Sequence, residues 1–364
     1  MKIYLNNFSN SLISKTNYRI INNYYRPNTN YNNSDSISFT SENPLDEYWG
    51  GYNKEKNKLF DILISRINNK NKLPPSVLIS CPDKYMISCI LEGIFKTADA
   101  NFVECSYKDN DLSSNLISEI KKAKNYYDNT GKKTIIILND AENIIGMTPA
   151  YAHKYSIIPL DKEDYSILEG QKQNIGNINF FKSLLDNPNA VNKSTSKMQG
   201  NFVTILFTTS KPQYIHPDLL SREGKISTII FSNPQKSNIK NTIKYEAEKA
   251  RRLLNFVKYG AIWNMQELEP KTRSKVYRSK NLYKLNLDID KIPYEKIVKF
   301  AKYNKKNGAF SYEQYHQIAI KSLNDYIKHP KIPFSYYYLY NIMTTKRGVS
   351  IKEYSDYEGM KLML

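Results

Sequence analysis

Apolar residues along the chain follow two repeat patterns, and the alternation between them predicts the order of the structural elements. Short continuous apolar runs indicate buried strands, whereas apolar residues three or four positions apart indicate helices. The runs that predict strands are SVLIS, NFVECS, KTIIIL, FVTILFTTS and ISTIIF. Helical spacing before and between these runs predicts helices in KLFDILISRI, in residues 86–97, in LSSNLISEIKKAKNYYDN and in INFFKSLLDN.

Two of these helices allow more detailed predictions. The apolar face of the first is predicted from spacing to comprise Leu59, Phe60, Ile62, Leu63 and Ile67. The helix in LSSNLISEIKKAKNYYDN is predicted to be capped by one of its serines, because a hydroxyl can accept a hydrogen bond from the first turn. It is predicted to end near Gly131, a residue type that often follows a helix.

From residue 236 onward the pattern is helical. Candidate helices are 236–258, 265–283, 293–306, 311–328 and 333–345, and the tyrosine-rich run FSYYYLYNIM is interpreted as the core stripe of the last one. Strands separated by helices, followed by helices alone, predict an α/β fold with a parallel sheet and then an α-helical domain.

The same pass along the chain predicts four segments. Residues 1–44 are rich in Asn, Ser, Thr and Tyr and are expected to be disordered, because they hold too little apolar surface to bury. An α/β core is predicted at 45–235, a basic helical insertion or linker at 236–290, and a final α-helical domain at 291–364.

Charge and cysteine content narrow the class of protein. The 364 residues carry a net charge of +18, which permits binding to an acidic partner such as nucleic acid. A generally basic solvated surface, with codon bias contributing to the many Lys and Asn, is the alternative. Cys81, Cys89 and Cys105 are an odd number in the predicted core and indicate reduced thiols in a cytoplasmic protein. No apolar run is long enough for a membrane helix, and no spacing indicates a metal site.

The positive charge is concentrated in one region. Residues 236–284 combine many Lys and Arg with interleaved aromatic rings, a pattern suited to phosphates and bases of nucleic acid. The candidate contacts are Arg251, Arg252, Arg273 and Arg278. An amphipathic helical insertion with a basic outer face explains the same residues.

Candidate functional residues lie at the ends of three predicted strands. In VLISCPDKYMISCILEGIF a buried strand turns into a helix through a short loop, the usual housing of a phosphate, yet the loop has no glycine. KTIIILNDAENIIG brings acidic residues to the carboxyl edge of a buried strand, where parallel sheets bind ligands. In ILFTTSKPQYIHPDLLSREGKIS an apolar strand is followed by polar residues, a His-Pro-Asp-Leu-Leu turn and a basic cluster.

In this order and spacing, the segments resemble the AAA+ ATPases, especially the branch of membrane proteases and protein-remodelling unfoldases. The resemblance covers about residues 46–345, from WGGYNKEKNKLFDIL to the helical lid. It implies a P-loop-type core and the following site residues. Nucleotide-binding positions are Pro82, Asp83, Lys84 and Ser88; catalytic positions are Asn139, Asp140 and Ser210; arginine-finger-like positions are Arg222 and Lys225.

The departures from the family pattern indicate that its chemistry is weakened. The loop Gly-Pro-Pro-Gly-Thr-Gly-Lys-Thr is replaced by residues 81–88, in which Ile87 takes the place of the lysine and Ser88 alone fits. Tyr85 and Met86 are expected to fill space that the phosphates would occupy. The family's Asp-Glu pair becomes Asn139-Asp140, and its sensor asparagine becomes Ser210.

Three functions follow from these residues as hypotheses. The first is a pseudo-ATPase with a degenerate phosphate loop, acting as a structural or regulatory subunit with protein partners or in a homo- or hetero-oligomer. The second is a divergent ATPase that retains ATP and Mg²⁺ through Ser88, Asp140 and Ser210, with a swung-in Lys84 as an optional substitute cation. The third is a DNA- or RNA-binding protein that uses the basic region.

Overall fold

A computed structural model describes much of the chain between residues 43 and 347. The described residues are 43–105, 112–147, 174–186, 202–211, 214–220, 226–234, 236–258, 268–270, 272, 284–303 and 310–347. The chain forms two compact units. The sheet unit contains the described residues of 43–48 and 52–232, and the helical unit contains those of 49–51 and 233–347.

The sheet unit is an α/β structure with a five-stranded parallel sheet. It begins with a helical segment that consists of α1 (Asn53–Leu59), a π-helical turn (Phe60–Ile64) and α2 (Ser65–Asn68). The remaining elements, in chain order, are β1 (Ser76–Ser80), α3 (Lys84–Thr97), β2 (Asn101–Glu104), α4 (Leu112–Thr130), β3 (Thr134–Leu138), α5 (Glu142–Ile145), α6 (Asn174–Asp186), β4 (Val203–Thr209), α7 (Pro217–Leu220) and β5 (Ile226–Ile230). The predicted parallel α/β architecture is confirmed, with the strand order β2-β3-β4-β1-β5.

The central strands are buried on both faces. Every residue of β1, β3 and β4 is buried, in agreement with their continuous apolar runs. On one face, Leu78 of β1 and Phe207 of β4 pack in a single apolar cluster with residues of α4 and α6. Leu78 pairs with Phe207, and Ser80 pairs with Thr209 two residues further on. Because side chains alternate along a strand, Ser80 and Thr209 lie on that same face.

The strand order creates a topological switch point between β1 and β4. The connection from β1 crosses to the β2 edge of the sheet, whereas the connection from β4 passes to β5 in the opposite direction. Since such crossovers are right-handed, the two connections leave on opposite faces. Ligands of open parallel sheets bind outside the carboxyl ends of strands at such a point. The loop after β1 and the ends of β3 and β4 are therefore the candidate site.

The helical unit has its own apolar core. Its helices are α8 (Lys236–Lys258), α9 (Tyr294–Tyr303), α10 (Tyr312–Lys328) and α11 (Phe334–Arg347), with a 3₁₀ turn at Ile289–Lys291. Helices α10 and α11 pack against each other, and α8 packs against α10. The tyrosine-rich run contributes Phe334, Tyr337 and Tyr338 to this core, as predicted.

The short segment around Gly50 belongs to the helical unit although it precedes the sheet in sequence. The backbone N–H of Gly50 donates to the hydroxyl of Tyr312 at 2.9 Å. A Cβ atom at Gly50 would lie 2.4 Å from the carbonyl oxygen of Asn241 on α8. Only glycine permits this close approach of two backbones.

Two detailed predictions about helices need correction. Helix α4 begins at Leu112, so Ser113 and Ser114 lie inside its first turn and do not cap it from outside. In the first helical segment Ile64 is buried, whereas Phe60 and Ile62 are only half-buried. The π-helical turn explains this difference, because its wider repeat rotates the apolar face relative to a regular α-helix.

Other predictions lie partly or wholly outside the described residues. The candidate helix 265–283 is described only at 268–270 and 272, and residues 1–42 and 348–364 are not described. The four predicted segment boundaries stay predictions.

Within the described part of the chain, no helix combines the length and apolarity that crossing a bilayer requires. Cys81, Cys89 and Cys105 are free thiols and are buried.

Candidate functional site

The loop between β1 and α3 closes with an acidic side chain at the start of the helix. Asp83 has an extended backbone, and its Oδ1 accepts a hydrogen bond from the backbone N–H of Met86 at 3.1 Å. This is the standard arrangement of a helix N-cap. Asp83 is only 5% exposed, so its carboxylate is held inside the loop. A negative charge of the protein itself therefore occupies the end of the helix that attracts anions.

The backbone of this loop explains the missing glycines. Among the described residues, positive φ values of non-glycine residues occur at Tyr52, Lys70 and Asp140, and residues 81–88 have none. The N–H of Cys81 continues the sheet ladder by donating to the carbonyl of Thr209 at 2.9 Å. Three ordinary residues then connect strand and helix, so no position requires the conformational freedom of glycine.

The side chains after the cap are engaged within the helix or its core. Met86 is fully buried. The hydroxyl of Ser88 donates to the backbone carbonyl of Lys84 at 3.1 Å, one turn earlier. Burial raises the pKa of the Cys81 thiol to about 12, so this thiol stays protonated and is a poor nucleophile at neutral pH.

Lys84 and Asp140 are brought together from different elements. The Lys84 Nζ lies 3.6 Å from Asp140 Oδ1, with the two side chains 73% and 38% exposed. Asp140 has a φ of +50°, a conformation that Asp and Asn adopt more readily than other non-glycine residues. Its carbonyl accepts from the N–H of Asn143 at 2.8 Å, which forms the turn into α5.

Asn139 links the carboxyl ends of three strands. Its Nδ2 donates to Oε1 of Glu104, the last residue of β2, at 2.7 Å. Its Oδ1 accepts from the hydroxyl of Thr208 on β4 at 2.8 Å. Burial raises the pKa of Glu104, the hydrogen bond from Asn139 lowers it, and the charge of Asp140 raises it. Both ends of the Asn139 amide are therefore committed to neighbouring strands.

A buried carboxylate, Glu142, lies under the end of β4. It is 4% exposed, and its Oε2 accepts from the hydroxyl of Thr209 at 2.6 Å. The hydroxyl of Ser210 lies 3.4 Å from Oε1, a long contact. The hydroxyl of Thr209 also accepts from the N–H of Lys211 at 3.0 Å. This hydrogen-bonded group joins α5 to the sheet.

The structure brings some of the predicted site residues together, and others lie outside the described residues. Asp83, Lys84, Asn139, Asp140 and Ser210 lie at the same edge of the sheet, with Pro82 exposed in the loop. Sequence reasoning missed Glu104, Glu142, Thr208 and Thr209; their position at or just after predicted strand ends was the available signal. Arg222, Lys225, Arg273 and Arg278 lie outside the described residues.

Arg251 and Arg252 lie on α8 in the helical unit and are engaged with an acidic residue. Arg251 donates through Nε and Nη2 to Oε1 of Glu248, at 3.0 and 2.6 Å. Arg252 Nε lies 4.0 Å from the same oxygen. On the same helix, Lys240 pairs with Glu295 at 2.8 Å. Part of the basic charge of this helix is therefore neutralised locally.

Some groups at the sheet edge that a nucleotide would need are already bonded within the protein. The helix start carries the Asp83 carboxylate, and the Ser88 hydroxyl is bonded inside its own helix. In the described part of the chain, no group of three or more His, Cys, Asp or Glu residues could hold a metal ion. A phosphate chain with its magnesium needs backbone donors, a cation and oxygen ligands at one place.

No protein-family model matches the chain. No curated protein matches it at a significant level.

Proposed function

We propose that the protein is an AAA+-like module that has lost nucleotide chemistry and serves as a structural or regulatory subunit of a larger assembly. The five-stranded parallel sheet, its switch point beside the loop after β1, and a helical unit following it agree with such a module. The departures from the AAA+ pattern concern the residues that would act on a nucleotide. The strands that form the sheet have the apolar sequences that such a fold needs.

One observation carries this proposal: the Asp83 carboxylate caps helix α3. A phosphate bound at this helix start would need the N–H group of Met86, which donates to Asp83 instead. It would also meet the negative charge of the buried Asp83 carboxylate, which is held in place by its hydrogen bond. Like charges held at short distance in such surroundings repel strongly, so the loop disfavours a triphosphate.

The other altered positions agree with the same conclusion. Asn139 is neutral and uses its amide to join Glu104 and Thr208. Ser210 makes a long contact to Glu142, and Ser88 bonds to its own helix. Each side chain thus has a structural partner where an active ATPase would direct it at nucleotide, magnesium or water.

Nucleotide binding by the purified full-length protein tests this function directly. Calorimetric titration with ATP, in magnesium and in excess chelator, should give no heat of binding at submillimolar nucleotide. Micromolar affinity, together with turnover that Asp140→Ala abolishes, would refute the proposal. The solution mass should be measured on the same sample and with candidate partner fractions, because a subunit of an assembly is expected to exceed the 42.4 kDa of one chain.

A divergent active ATPase is the second candidate, and the position of Lys84 favours it. This side chain is largely exposed and its Nζ lies near Asp140, so a cation is present at the loop. If Lys84 binds phosphate, Lys84→Met should abolish any ATP turnover and Lys96→Met, an exposed change at the far end of α3, should not. Equal residual turnover in the two variants would indicate a contaminating ATPase.

Nucleic-acid binding stays a proposal with less support. The pairing of Arg251 and Arg252 with Glu248 reduces the charge that α8 offers to a phosphate backbone. Anisotropy of labelled single- and double-stranded DNA at low and moderate salt decides the matter. Binding that falls steeply with salt would support this function, and absence of binding at low salt would exclude it.

A further inference from the structure

The carboxyl edge of the sheet is acidic in a strongly basic protein. Three carboxylates lie there, Glu104 at the end of β2, Asp140 after β3 and Glu142 at the start of α5, and we call them the acidic edge. The whole chain carries a net charge of +18. The acidic edge is therefore a local reversal of sign, at the place where parallel sheets bind ligands.

The residues that the structure describes supply little positive charge to these carboxylates. Among the described residues, Lys84 is the only Lys or Arg within ion-pair distance of the acidic edge, at 3.6 Å from Asp140. Its side chain is 73% exposed, and an ion pair so open to water contributes little. Burial is the largest cause that raises the pKa of Glu104, and the neighbouring charge of Asp140 raises it further, because two carboxylates repel each other.

A buried hydroxyl beside the acidic edge gives a second, independent observation. Ser80 is 1% exposed, and its Oγ has no hydrogen-bond partner. By strand register it lies next to Thr209 on the same face of the sheet, and the Thr209 hydroxyl is bonded to Glu142. Buried polar groups are nearly always paired in native proteins, so an unpartnered one points to a ligand atom that completes it.

The spacing of the acceptors at the acidic edge indicates which kind of cation could bind there. In the described part of the chain the acidic residues do not form a group of three that could surround a metal ion. Hydrogen-bond acceptors spread over three strand ends suit an extended cation with several donors. The guanidinium group has five N–H donors in a planar fork and always carries its charge.

We propose that the acidic edge binds the guanidinium group of an arginine from a partner protein, with Ser80 at the inner end of the site. Asp140 and Glu104 accept hydrogen bonds from the guanidinium, and the charge of Glu142 adds to the attraction. The inference rests on the proposed function, because a nucleotide at this edge would compete with the arginine. It names the chemistry by which a regulatory subunit would hold its partner.

A titration of the isotope-labelled full-length protein with argininamide tests the proposal at low ionic strength. Backbone amide signals of residues 80–84, 104 and 139–142 should shift with saturation at millimolar ligand. Citrulline amide, in which a neutral ureido group of nearly the same shape replaces the guanidinium, should leave them unchanged. Spermidine distinguishes a guanidinium site from a general site for amines, and it should bind at least fivefold more weakly.

Substitutions sharpen the test. Asp140→Asn keeps a residue type that accepts its positive φ and should weaken argininamide binding at least fivefold. Lys84→Met removes a competing cation and should strengthen binding. Ser80→Ala should weaken binding without loss of thermal stability, because the wild-type hydroxyl has no partner to lose. Asp128→Asn, an exposed acid on α4 paired with Lys124, is the matched control and should bind as the wild type does.

Several results would overturn this proposal. They are equal shifts with argininamide and citrulline amide, tighter binding of spermidine, or unchanged affinity in both Asp140→Asn and Ser80→Ala. The proposed function fails separately. ATP binding with turnover refutes it, whereas a protein that binds neither ATP nor argininamide contradicts only the arginine site.

Discussion

At the scale of single residues, Asp83 decides the chemistry of the loop after β1. Its carboxylate satisfies the Met86 N–H and gives helix α3 a cap, so the same atom group both stabilises the fold and repels anions. The sequence indicated the loss of glycine and the presence of an aspartate in the loop. It did not show that Asp83 would turn inward, because a capping geometry depends on the φ and ψ of the residue as well as on its type.

Substitution of Asp83 should separate its capping role from its charge. Asp83→Ala removes the cap and should lower the free energy of unfolding by about 1 kcal/mol. Asp83→Asn keeps an acceptor for the Met86 N–H, so it should lower the free energy of unfolding by only a small fraction of that amount. Urea unfolding followed by circular dichroism measures both. Equal losses in the two variants would show that charge, and not capping, stabilises the loop.

His216 should give the protein a pH-dependent stability. Burial lowers its pKa from 6.5, Asp218 raises it and Lys182 lowers it, and its Nδ1 accepts from the N–H of Asp218. The unfolded chain therefore binds the proton more readily than the folded one. Stability from this residue is complete above pH 6.5 and falls as the pH decreases from there toward the lowered pKa.

The slope of unfolding free energy between pH 7.5 and 5.5 measures this effect. His216→Gln should flatten the slope relative to the wild type, and His329→Gln, a change at an exposed histidine, should leave it unchanged. An identical slope in wild type and His216→Gln would contradict the assignment.

The sequence pointed to some residues of this edge and not to others. The roles of Lys84, Asn139, Asp140 and Ser210 stay predictions, but all four were named from the sequence and lie at one edge. Glu104 and Glu142 were not, because a single acidic residue near a strand end is common. Only the strand order brings the end of β2 and the start of α5 beside β3 and β4.

At the scale of elements, the strands were predictable because their apolar runs are continuous. Thr134–Leu138 and Ser76–Ser80 are buried throughout, as expected for strands of a parallel sheet that is covered on both faces. The helices were predictable in extent but less so in detail. The π-helical turn at Phe60–Ile64 changes which residues face the core, and spacing rules assume a regular helix. The predicted α8 matches Lys236–Lys258 because its apolar positions keep one period throughout.

Gly50 is an element-scale constraint, because its backbone packs directly on helix α8. Gly50→Ala places a methyl group 2.4 Å from the Asn241 carbonyl oxygen, a backbone atom that cannot move aside alone. We expect a loss of roughly 1–3 kcal/mol in the free energy of unfolding, as for other overpacking changes.

Gly176 offers the matched control. It lies in helix α6, and a Cβ there would meet nothing within 4 Å. Gly176→Ala should be neutral or stabilise by up to about 1 kcal/mol, because alanine is the better helix former. Thermal unfolding of both variants gives the comparison. A Gly50→Ala protein as stable as Gly176→Ala would contradict the close packing.

At the scale of the whole molecule, the proposed loss of nucleotide chemistry predicts how stability responds to ATP. A ligand stabilises the fold by RT ln(1 + [L]/Kd). With a Kd of 1 mM or weaker, 1 mM ATP with Mg²⁺ adds at most about 0.4 kcal/mol, which moves the melting temperature by about 1 °C. A micromolar site would add about 4 kcal/mol under the same conditions. Differential scanning fluorimetry distinguishes the two, with ADP and an added inorganic triphosphate as controls for ionic effects.

The position of Gly50 also bears on how the chain folds as it leaves the ribosome. Its N–H bonds to the Tyr312 hydroxyl, and this partner is synthesised 262 residues later. At a synthesis rate of ~5–20 residues per second, this delay is roughly 13–50 seconds. The sheet unit is complete in sequence by residue 232, well before that partner emerges. Nascent chains arrested between these points would therefore contain the whole sequence of the sheet unit while the N–H of Gly50 still lacks the hydroxyl that it bonds in the folded protein.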